Sequence, residues 1–127
     1  MRLPPAIIVH CWPDLRDALA PGRPVTPLSA PGAARYAGCL WWAELLAAAN
    51  FSGPAFLDCA DAPGRAVEAI RLGLAGIILT CEPARYAIVQ TIAAAAGARL
   101  LPEAPPALDM AARNARRNLA AWLDDNP

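Results

Sequence analysis

A lone histidine, His10, stands beside Cys11 near the start of a 127-residue chain whose other thiols are Cys39, Cys59 and Cys81. The cysteines are separated by 28, 20 and 22 positions, which is neither the spacing of a CxxC redox pair nor that of a zinc ribbon. One histidine excludes every two-histidine metal motif, so no metal site is expected. The chain has no lysine, and with it go Schiff-base chemistry, a pyridoxal-phosphate anchor and a Walker-type phosphate loop. What remains is acid–base work by His10 or Asp58, nucleophilic work by Cys59 or Cys81, or binding without chemistry. Enzyme and binding module both stay open, and no motif names a cofactor.

These side chains meet only if the chain delivers them to one place. Short apolar runs alternate with segments of helical composition, the pattern of strand–helix units around a parallel sheet. The runs predict strands over Ala6 to Cys11, Val25 to Ser29, Ala55 to Cys59, Gly76 to Cys81 and Ala98 to Leu101. Helices are predicted over 14–20, 31–50, 63–73, 84–96 and 107–123. Proline follows each strand, at 13, 31, 63, 83 and 105–106, where its fixed φ and missing N–H suit a first helical turn. Ser29 and Asp61, each in a polar-Ala-Pro-Gly sequence, are expected to cap by accepting the N–H of Gly32 or Gly64. Gly53, Gly73 and Gly97 follow helical runs as stop signals.

Pro27 cannot donate to a ladder, which puts the second strand at an edge. The expected architecture is therefore one three-layer α/β domain, residues 1–127, with a five-stranded parallel sheet in the flavodoxin-like order 2-1-3-4-5. A closed barrel would need about eight units. Ligands of such a sheet bind beyond the carboxyl ends of the strands. That edge would gather His10, Cys11 and Trp12 with Ser29, Asp58, Asp61 and Arg65 as a ligand-binding set, and Thr80, Glu82 and Glu103 at neighbouring strand ends. Arg16, Arg35, Arg65 and Arg85 come early in helices, where the macrodipole favours acids, and this placement points to a small anionic ligand. Nearby acids could equally pair with each guanidinium.

Composition narrows the partners. Eleven arginines balance eleven acids, so no electrostatic footprint marks nucleic acid or an anionic bilayer as a partner. Tyr36 to Ala49 is too short for the roughly 20 apolar residues of a membrane span. With no secretory pattern at Met1-Arg2-Leu3-Pro4-Pro5, the expected location is cytoplasmic, with reduced thiols. Trp41 and Trp42, adjacent on one helix, diverge by about 100 degrees, so one of them is expected at a homo-oligomer interface. Arg113, Arg116 and Arg117 form a solvated face or a docking patch for an acidic partner.

In Phe56-Leu57-Asp58 and Ile77-Ile78-Leu79-Thr80, the chain resembles a response-regulator receiver domain. The resemblance implies that Asp58 holds the phospho-acceptor position and Thr80 that of the switch hydroxyl. His10-Cys11-Trp12 replaces the acidic pair after strand one, and no lysine exists to follow strand five. The resemblance thus implies at most a degenerate, non-phosphorylated signalling relative. The stretch Ala66 to Leu79 also resembles one strand–helix unit of phosphate-binding and aldolase barrels. The leading expectation is a non-catalytic small-ligand-binding or protein-interaction module, the alternative a small enzyme using Cys, His and Asp at the strand ends.

Overall fold

The computed structural model describes residues 2–126. Along the chain run β1 (Ala6–Ile8), α1 (Trp12–Leu19), β2 (Thr26–Leu28), α2 (Ala33–Tyr36), α3 (Cys39–Ala48) and β3 (Leu57–Asp58). Then come α4 (Pro63–Arg71), β4 (Gly76–Ile78), α5 (Pro83–Ala96), β5 (Arg99–Leu101), β6 (Ala107–Asp109) and α6 (Ala115–Asp125). The class is α/β, but the sheet is not the expected one. Two three-stranded parallel sheets form, in the orders β2-β1-β6 and β3-β4-β5. A flavodoxin-like order would seat strand one beside strand three; here β1 lies between β2 and β6. The structure thereby also removes the fold on which the receiver resemblance depends.

Why the strands divide there is legible in the backbone. Between β2 and β3 only Leu28 and Phe56 form a bridge, with Phe56 N–H donating to Pro27 O at 2.9 Å and Ser29 N–H to Phe56 O at 3.0 Å. Below that bridge Pro27 has no N–H to continue the ladder. Above it the Asp58 N–H turns to the Ser29 hydroxyl, at 2.9 Å, instead of a strand carbonyl. One proline and one serine thus interrupt the pairing at either end.

The helices cover one side only. Ile7, Val9, Leu57, Cys59, Ile77 and Leu79 share a buried cluster with residues from every helix. The alternate positions Ala6, Leu28, Phe56 and Ile78 form a second cluster that contains no helical residue. Leu28 and Phe56 are nevertheless only 1% exposed. A sheet face with no helix over it stays dry only if the strands curl round it, so the inner faces bury one another. Leu3, Ile8, Leu101 and Ala107 complete that lining. A doubly wound, three-layer sheet would instead carry helices on both faces.

Packing dictates glycine at 76: a Cβ there would run into the Ala55 carbonyl oxygen and the Phe56 ring. Gly38, at φ 88°, breaks the helix expected over 31–50 into α2 and α3. Pro13, Pro63 and Pro83 open helices as expected. Pro105 and Pro106 do not; they lead into β6, a strand within the segment read as helix from 107. The five residues 102–106 return the chain from the end of β5 to the start of β6 with no helix between. Extended, they span about 17 Å, enough to pass a three-residue strand of about 10 Å.

Trp42 is fully buried, and Trp41 packs partly buried against the same core, its ring 5.7 Å from that of Trp42. Trp42 therefore belongs to the core, while Trp41 keeps part of its surface outside it.

Candidate functional site

Strand alternation decides which side chains reach the C-terminal mouth of the inner face. Asp109 is in register with Ile8 and Asp58 with Ile78, so both carboxylates stand on the inner side. His10 and Thr80 lie two positions beyond Ile8 and Ile78 and continue the same rows. Four polar residues, in or just beyond β1, β3, β4 and β6, thus crown an otherwise apolar lining.

The tightest contact among them joins His10 Nε2 to Asp109 Oδ1 at 2.7 Å, with the two side chains 34% and 40% exposed. An ionised carboxylate only accepts, so Nε2 is the donor of this bond. Asp109 Oδ1 also takes the Ala111 N–H at 2.9 Å. Burial works against its charge, but that N–H and His10 outweigh it and hold the carboxyl below its ordinary value. Behind the pair, buried Asp14 accepts the His10 N–H at 3.0 Å and the Arg116 guanidinium at 2.8 Å. Arg116 continues to Asp17 at 2.7 Å and to Met110 O at 3.3 Å. The β1–α1 turn is therefore tied to α6 and to the end of β6. Arg116 and Arg16 together keep Asp17 below the usual carboxylate range.

Of the residues expected in the site, His10, Cys11 and Trp12 occupy this corner. Cys11 is the exposed N-cap position of α1, in extended conformation, and Trp12 opens the helix 42% exposed. Ser29 and Asp58 meet each other instead. Ser29 is buried and donates to Ala30 O at 3.1 Å, while Asp58 Oδ1 accepts the N–H groups of Gly32 at 3.0 Å and Ala60 at 2.8 Å. Neither Ser29 nor Asp61 caps a helix as expected, because Asp58 has taken the Gly32 N–H and Asp61 pairs with Arg35 at 3.2 Å. Asp58 and His10 end strands on either side of β2, on the same rim, and β2 stands between them.

The anion expectation meets occupied donors. Arg16 pairs with Asp17, Arg35 with Asp61, Arg65 with Glu68 and Arg85 with Glu82, at 2.9 to 3.2 Å. Arg65 in particular lies against Glu68 at 3.0 Å, away from Ser29's bonds. Thr80 donates to Pro102 O at 2.8 Å, above a groove of about 390 Å³ lined by Cys81, Tyr86 and Gln90 among others.

The thiols divide by burial. Desolvation pushes Cys59 up to about 12 and Cys39 likewise to about 12, the latter helped by Glu68. A thiol so placed keeps its proton at neutral pH and is no nucleophile, which withdraws Cys59 from the enzymatic alternative. Cys81 is half-buried, its Sγ 3.7 Å from Glu82 O. Among the described residues no group of three or more His, Cys, Asp or Glu is placed to hold a metal ion, and no helix is long and apolar enough to cross a membrane.

Sequence reasoning missed Asp109, Asp14 and Arg116. A signal for Asp109 existed: Leu108-Asp109 repeats the Leu57-Asp58 pair that ends β3. No family model, curated protein or solved structure matches the chain.

Proposed function

We propose that the protein is a non-catalytic binding module that takes a small polar ligand at the C-terminal rim of its strands. The observation that carries this reading is the half-exposed His10–Asp109 pair at the mouth, held from behind by the Asp14–Arg116 contact. Trp12 supplies an exposed apolar wall beside it. The carboxylates Asp58 and Asp109 are acceptors on this rim, whereas Ser29 and Arg65 are engaged within the fold. The ligand class that fits is one rich in donors, a polyol or an amine, rather than a phosphate.

Thermal-shift titration against polyols, amines, sugar phosphates and carboxylates tests this. Binding at 100 times Kd stabilises by about 2.7 kcal/mol through mass action, and His10→Ala should abolish the shift. If only phosphates or carboxylates shift the protein, or if His10→Ala leaves the shift intact, the reading fails. The same pair favours one rival, acid–base catalysis with His10 as base and Asp109 orienting it. Turnover of a ligand found in the screen, lost in His10→Ala, would establish that rival instead.

A further inference from the structure

Among the longer helices α3 is fastened least. Of its polar side chains only the Cys39 thiol, a weak donor, reaches another element, at 3.3 Å from Arg65 O on α4. Glu44 is exposed and has no partner among the described residues. By contrast α1 is tied to α6 through Asp14 and Arg116, α5 to β5 through the Tyr86 hydroxyl, and α6 to β1 through the Trp122 indole. α4 packs against α5 and β4 as well as α3, whereas the principal neighbour of α3 is α4.

The start of α3 is loose too. The N-cap carbonyls of α1, α4, α5 and α6 each accept the first intrahelical N–H at 3.0 to 3.2 Å, but among the described residues no bond of that geometry forms at Gly38. Gly38, at φ 88°, has no side chain with which to cap, and Asn50 turns the chain beyond the helix at φ 52°. Along one flank runs a groove of about 340 Å³ lined by Ala43, Leu46, Leu72 and Leu74 among others. Inside, Trp42 is 0% exposed, and its Nε1 is a buried donor without an acceptor among the described residues. Seating α3 takes water from that N–H and replaces it with nothing, a cost that opening relieves. We infer that α3 is a hinged flap: it swings out as one unit between Gly38 and Asn50 while both sheets stay folded, uncovering the Cys39, Trp42 and Leu45 stripe and the apolar surface beneath it.

Native-state amide exchange of the full chain at low urea tests the inference. The amides of residues 43–48 should exchange through one shared opening, at least about 100-fold faster than those of β4 and with a smaller urea dependence, because a flap exposes less surface than global unfolding. Phe56→Leu, which loosens the inner core, should accelerate exchange in β4 and leave α3 unchanged, since Phe56 stays packed when the flap opens. Should Phe56→Leu fail to fold, Gly76→Ala disturbs the same packing and serves in its place. Replacing Trp42 with benzothienylalanine keeps the bicyclic ring but removes the N–H, and should slow exchange in α3 at least about fivefold. A common rate and urea dependence for α3 and β4, equal acceleration of both by the core variant, or unslowed exchange in the benzothienylalanine chain would overturn the inference.

Discussion

α6 and α5 each lay one buried stripe on the strands, yet their outer faces are finished in different ways. α6 directs Arg116 to Asp14 and Asp17 on α1, and Asp124 to Arg23, so two of its charged side chains are satisfied within the chain. α5 ends its charges at Arg85 and presents alanine and isoleucine outward. The helices on the first sheet are thus joined by ion pairs at the rim, whereas α5 meets the second sheet through apolar contact and one hydrogen bond, from the Tyr86 hydroxyl to Leu100 O at 3.2 Å.

The largest expected effect tests whether the two sheets share an inner core. Phe56→Ala should cost about 3–5 kcal/mol, measured by urea unfolding with intrinsic tryptophan fluorescence as the probe. If the sheets were independent, unfolding monitored at separate probes would split into two transitions; one coincident transition is expected.

Next comes the stitching of the first sheet. Arg116→Ala leaves Asp14 buried without its cation, and a loss of about 2 kcal/mol is expected, below the full cost of a buried pair because Arg116 is half exposed. It should also weaken ligand binding at His10 without touching the ligand, which a purely global loss would not do below the melting transition.

Gly76→Ala should destabilise by about 1–3 kcal/mol through the Ala55 and Phe56 clash, while Gly64→Ala, facing open space at the start of α4, should stabilise by a few tenths. Equal effects at both would show that the inner packing is looser than described.

The smallest effect is a pH dependence. The Asp109 carboxyl lies below its ordinary value in the fold, so its contribution is present above about pH 4 and is lost as pH falls through the folded value. Because the side chain is 40% exposed, the part removed by Asp109→Asn should be about 1 kcal/mol or less. Acid titration of stability in the two proteins measures it. Thiol labelling gives a parallel check. Iodoacetamide should reach Cys11 in the native protein and Cys39 and Cys59 only after unfolding.

Local chemistry was legible where backbone geometry and composition coincide. Proline in the first turn, behind an extended N-cap residue, marks the starts of α1, α4 and α5, because a missing N–H and a fixed φ act within a single turn. The same logic failed at Pro105-Pro106, where the prolines precede a strand. Three apolar or acidic residues, Ala107-Leu108-Asp109, satisfy helical and extended periods alike, and only pairing with β1 selects the strand. Losing β6 meant losing Asp109, and with it the partner of His10.

By itself the sequence determined the α/β class, the helix starts led by proline, the absence of lysine chemistry and the apolar length of α5, since these depend on residue type and on neighbours within a turn or two. Strand order, the curl that buries Phe56 without a helix over it, and the meeting of His10 with Asp109 across 99 positions belong to the tertiary structure. The physical reason is that a strand end specifies which of its side chains point inward, while which strand lies beside it depends on hydrogen bonds and apolar faces supplied by distant parts of the chain.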